Sequence, residues 1–131
     1  MKSFTYIILI ICFTTSCSNK SRVTNFEYSG FGDTIFAVIE GEVYERSFFS
    51  TKPLKDVEIC IDSITKTTKT DNDGRFEIGL NYGKYNIKVS KKGYQTINIE
   101  NYVSVPDEIS EMKIILVKGN SNQTFTCPKR K

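Results

Sequence analysis

From Ile35 to Leu116 the chain runs in short stretches whose alternate residues are apolar, broken at intervals by glycine, asparagine, aspartate and proline. No stretch carries its apolar residues at the 3.6-residue period of a helix. Ile39, Gly41 and Val43 alternate with Glu40 and Glu42, and Val57, Ile59 and Ile61 with Glu58, Cys60 and Asp62. Phe76, Ile78 and Leu80, then Tyr85, Ile87 and Val89, then Ile97 and Ile99, and last Met112, Ile114 and Leu116 continue the pattern. With the threonine-rich stretch 63–70 these make seven expected strands, the alternating ones with one face for a core and one for water. The spacing predicts an all-β protein, a seven-stranded β-sandwich. Asp71-Asn72-Asp73-Gly74, Asn81-Tyr82-Gly83-Lys84 and Lys91-Lys92-Gly93 supply the turns. Pro106 and its acidic neighbours mark 101–111 as a long connection rather than a strand.

Five pieces of this pattern occur together and in order: Gly41-Glu42-Val43, Pro53-Leu54-Lys55-Asp56-Val57, Thr70-Asp71-Asn72-Asp73-Gly74-Arg75-Phe76, Gly83-Lys84-Tyr85 and Lys92-Gly93-Tyr94. Through them the segment 39–100 resembles the carboxypeptidase regulatory-like domains. Their consensus runs from a Gly-x-Val strand through a Pro-Leu turn to Thr-Asp-x-x-Gly-x-Phe, Gly-x-Tyr and Gly-Tyr. The resemblance implies a prealbumin-like (transthyretin-like, Ig-like) sandwich. It implies little about function, because such domains accompany peptidases, outer-membrane transporters and surface proteins alike.

The ends divide the chain further. Lys2, the apolar run Phe4 to Phe13 and the small polar residues Thr14, Thr15 and Ser16 have the order of a secretory signal, expected over 1–16. The run is far shorter than the ~20 residues that span a bilayer as a helix. Thr15-Ser16-Cys17 resembles the lipobox of bacterial lipoproteins, which implies acylation of Cys17 and attachment to the outer membrane. Thr14 stands where that motif usually has leucine, so ordinary signal-peptidase cleavage is the alternative. The polar segment 17–34 reads as a flexible tether that Phe26, Tyr28 and Phe31 could pin, 35–118 as the sandwich, and 119–131 as a polar, basic tail.

Composition removes several functions. The net charge of +3 becomes +2 without the first sixteen residues, whose one charged side chain is Lys2. The cations are interspersed with carboxylates, so no basic stripe exists to follow a nucleic-acid backbone. The chain has no histidine, which takes away the usual general base, zinc ligand and partner of a serine or cysteine nucleophile. Asp71, Asp73 and Gly74 suggest a calcium loop, but Lys69 and Leu80 occupy its two end ligand positions. No catalytic residue, metal or cofactor is expected.

The remaining candidates concern contact and covalent modification. Cys60 and Cys127 could form a disulfide in an oxidising envelope, the ten residues after Val117 reaching roughly 33 Å across a domain of ~13 Å radius; the alternative is two unpaired thiols. Asp33-Thr34-Ile35 and Asp62-Ser63-Ile64 match a short acceptor pattern for bacterial O-glycosylation at Thr34 and Ser63. Tyr82, Tyr94 and Tyr102 either stack on sugars or, more simply, brace the sandwich. Phe48 and Phe49 stand where the family often has a short polar loop, and adjacent residues of an extended segment cannot both enter one core. They are the expected contact for a protein partner in the cell envelope, with glycan binding as the second reading.

Overall fold

The computed structural model describes residues 20–30, 36–62 and 64–127. Ten strands follow one another along the chain: β1 (Arg22–Gly30), β2 (Ala37–Arg46), β3 (Thr51–Pro53), β4 (Glu58–Ile61), β5 (Lys66–Lys69), β6 (Arg75–Leu80), β7 (Gly83–Ser90), β8 (Thr96–Ser104), β9 (Glu108–Leu116) and β10 (Asn122–Thr126). They form two sheets. In the first the order is β1-β9-β2, and the far side of β2 is shared, its first half pairing with β6 and its last residues with β3. In the second the order is β10-β8-β7-β4-β5. All pairings are antiparallel except β2 with β9 and β8 with β10.

The expected alternation is observed. Ile39, Val43, Ile59, Ile61, Ile78, Leu80, Ile87, Val89, Ile97, Ile99, Met112, Ile114 and Leu116 turn inward into one core with Phe76 and Tyr85. Gly41 lies on the inward face of β2 and leaves room for an aromatic ring. A Cβ there would collide with the Phe76 ring and stand 2.8 Å from the Met112 carbonyl oxygen.

Three expectations are corrected. Residues 22–30 are not a free tether but the edge strand β1, antiparallel to β9 from Arg22 opposite Ile115 to Gly30 opposite Glu108. A polar segment that cannot fold alone can still add to a ready-made sheet edge, where its backbone groups find partners. Phe26 and Tyr28 then meet Tyr102, and Phe26 also meets Phe125, with ring centroids 6.0 to 6.5 Å apart. The tail is likewise not free, since β10 runs parallel to β8 and Cys127 is buried in the core. The stretch 101–111 is no long connection: Tyr102 and Ser104 are buried on β8, Ser110 is buried on β9, and Pro106 occupies the tight turn between them. The Tyr102 and Ser110 hydroxyls bond at 2.9 Å, satisfying two buried polar groups together. Strands β1, β3 and β10 are those beyond the seven expected.

Candidate functional site

The motif residues prove to be internal fasteners. The Thr70 hydroxyl accepts from the Val57 N–H at 2.9 Å and donates to the Leu54 carbonyl at 2.6 Å, both buried. Asp71 Oδ1 accepts from the N–H groups of Asp73 and Arg75, each at 2.9 Å, which closes the turn on itself. Gly74 makes that turn with φ of 74°, and its carbonyl accepts from the Val43 N–H at 2.7 Å. Pro53-Leu54 is held by the Leu54 N–H donating to the Val43 carbonyl. The Tyr85 hydroxyl donates to the Asn81 carbonyl at 3.2 Å. Each motif thus ties one turn to one strand.

Such fasteners define a fold rather than a reaction, and a family model for the CarboxypepD_reg-like domain matches residues 39–126, two thirds of the chain. The chain belongs to this carboxypeptidase regulatory-like domain family. No curated protein matches it. The family domain is regulatory-like and non-catalytic in kind. In this chain the match takes in β10 and begins within β2, so β1 lies outside the matched residues.

The outer face of the first sheet of this carboxypeptidase regulatory-like domain carries two rows of charged and polar residues. Glu77, Glu40, Glu111 and Glu27 lie directly opposite one another across β6, β2, β9 and β1. The next row is Arg75, Glu42, Lys113 and Asn25. There Arg75 Nε is 3.5 Å from Glu42, the Tyr44 hydroxyl donates to Glu42 Oε2 at 2.8 Å, and Lys113 Nζ sits 4.9 Å from the Tyr44 ring centre. The hydrogen bond to Glu42 raises the Tyr44 pKa above 10.0. A cleft of about 640 Å³ lies over these rows, open to solvent and lined by Asn25, Glu40, Glu42, Arg75, Glu111 and Lys113. No three His, Cys, Asp or Glu residues among the described ones are placed to hold a metal ion. The face offers ion pairing and hydrogen bonding to a polar ligand.

The β2–β3 hairpin offers the largest exposed apolar element. At Glu45 the neighbouring β9 ends with Leu116, and only the two strands of the hairpin continue, through Arg46 opposite Thr51. The Ser47 N–H donates to the Ser50 carbonyl at 2.8 Å, which closes a loop whose two central residues are Phe48 and Phe49. They are 94% and 101% exposed, with ring centroids 6.5 Å apart. The sequence argument allowed one of them to turn outward, and both do.

The other candidates are dispersed. Cys60 is half-buried and Cys127 buried, and they are not joined in a disulfide. Cys60 is on β4 facing away from the core that Ile59 and Ile61 enter, Cys127 follows β10 inside that core, and β7 and β8 stand between the two strands. With strands ~4.8 Å apart and Cα atoms within ~7 Å needed for a disulfide, the expected alternative of a bridge is excluded in this fold. Tyr102 is buried and Tyr94 half-buried, its hydroxyl raised above 10.0 by burial and then by a hydrogen bond to Glu45. Tyr82 does not brace the sandwich, being 73% exposed on the β6–β7 turn. Cys17, Thr34 and Ser63 lie outside the described residues. The acidic row was missed in the sequence because it is built from four strands, and only their register brings the glutamates together.

Proposed function

We propose that the chain is a non-catalytic accessory lipoprotein of the bacterial cell envelope, anchored through Cys17. It works by contact with other envelope components, with the β2–β3 hairpin tip as its contact element. The observation that carries this reading is the full exposure of two adjacent phenylalanines on a hairpin that projects past the sheet. Isolated exposed apolar residues are ordinary on a protein surface, but a projecting pair is a costly thing to keep in water unless something covers it. Glycan binding is less well supported, because two of the three tyrosines that could have served as sugar platforms are packed into the sandwich. The anchor is tested by growth with a labelled fatty acid, where the parent chain is labelled and Cys17→Ala is not. The contact element is tested with a photo-reactive side chain at position 48 or, as reference, at position 72. Adducts from position 48 alone support the reading, and equal yields from the two positions would refute it.

A further inference from the structure

The hairpin tip and the start of β1 leave the sandwich at the same end. Arg22 is opposite Ile115, Ile115 is opposite Tyr44, and Tyr44 is opposite Pro53, so the first residue of β1 lies in the row at the base of the hairpin. Ser21 is buried at this level: its N–H donates to Gln95 Oε1 at 2.9 Å, and its hydroxyl accepts from the Val117 N–H at 2.8 Å. Those bonds hold the point from which the chain runs back toward Cys17. Arg22 is five positions along the chain from Cys17, a span of at most ~18 Å. From Tyr44 to Phe48 the hairpin rises at most ~13 Å. The acyl anchor and the aromatic tip are therefore able to reach one plane.

The charges at this end suit that plane. Arg46 and Lys52 flank the tip, and neither makes an ion pair among the described residues. Lys20, Arg22, Lys55 and Lys92 lie at the same end. Its carboxylates are fewer than its cations: besides Glu45 and Asp71, Asp56, Glu58 and Asp73 lie there, with Asp56 and Glu58 beside Lys69, Lys91 and Lys92. Glu45 is 3.6 Å from Lys118, and Asp71 caps its own turn, which Gly74 ties to Val43 below the hairpin. Among the described residues the opposite end shows no such bias, with Asp62, Asp107 and Glu108 against Lys66 and Lys84.

We infer that this end of the sandwich lies against a lipid surface. Phe48 and Phe49 enter the boundary between headgroups and acyl chains, while Arg46 and Lys52 meet lipid phosphates. Aromatic side chains with cations just behind them match that boundary, and one acyl signal holds a protein far better when a second contact assists it. A fluid apolar phase accepts both rings without a matching pocket. The inference rests on the anchor reading only for orientation, and it names what the tip touches.

The chain contains no tryptophan, so single reporters can be placed at will. Phe48→Trp, Phe49→Trp and, at the far end, Tyr82→Trp are prepared in the full chain. Each is mixed with vesicles of phosphatidylethanolamine and phosphatidylglycerol whose acyl chains carry bromine. Quenching and a blue shift at positions 48 and 49, with neither at 82, are expected. Equal quenching at all three, or none at 48 and 49, overturns the inference; the second result is also what a tip built for a protein pocket would give. Phe48→Ser with Phe49→Ser should weaken vesicle binding of the unacylated Cys17→Ala chain about tenfold without loss of folding. Arg46→Gln with Lys52→Gln should remove the preference for anionic over phosphatidylcholine vesicles, and an unchanged preference counts against the headgroup contact. The mass of the mature chain reports acylation separately, so failure of the anchor and failure of the tip are distinguishable.

Discussion

Gly41 and Thr70 show why the family motifs hold a shape. Gly41→Ala sets a methyl group into the Phe76 ring, and the overpacking should cost about 1 to 3 kcal/mol in urea unfolding. Thr70→Val keeps the volume but leaves the buried Val57 N–H and Leu54 carbonyl without their partner, so a loss of about 1 to 3 kcal/mol is expected. A neutral outcome would mean that the turn closes by other bonds. At Tyr94 the pKa is raised from 10.0 by burial first and by the Glu45 hydrogen bond second. The unfolded tyrosine therefore releases its proton before the folded one does. The associated stability is complete below pH 10 and falls as pH climbs through the folded value. Melting temperatures followed into the alkaline range should decline less steeply for Tyr94→Phe than for the parent chain.

Among the elements, those with strict alternation were legible in the sequence, and those that borrow their stability were not. β2, β4, β6, β7, β8 and β9 each carry two or more inward apolar residues at a period of two, which is a local signal. β1 and β10 carry aromatic residues among polar ones, and they become strands only because β9 and β8 present free backbone groups beside them. The hairpin at Phe48 was legible as a departure from the family pattern, while the acidic row depends on register across four strands and has no local trace. The place of β1 can be measured. Phe26→Ala should cost about 2 to 3 kcal/mol, less than a fully buried phenylalanine because Phe26 is only half-buried; a true tether would show no change. The cysteines give a second check at this scale. In the native protein Cys60 should react with a thiol reagent well before Cys127, which the core shields, and reduction should leave the migration of the folded protein unchanged.

At the scale of the whole molecule the two sheets protect most of their own edges. β5 is short and carries lysine at both ends, and Lys66 Nζ donates to the Gly79 carbonyl at 2.6 Å on the neighbouring edge strand β6. The acidic row acts against the assembly, since like charges directly opposite one another on a sheet repel. Added salt should therefore stabilise the protein through Glu27, Glu40, Glu77 and Glu111, and Glu111→Gln, at the centre of the row, should reduce that salt dependence. The direction of β1 has a mechanical consequence. Its first residue lies at the end of the sandwich from which the chain continues toward Cys17, and its ladder with β9 runs from there toward the opposite end. A tension that drew the body away from a tethered N-terminus would act along the length of that ladder. It would load the rungs from Arg22 to Gly30 together, as in shear, and would not peel them apart one after another.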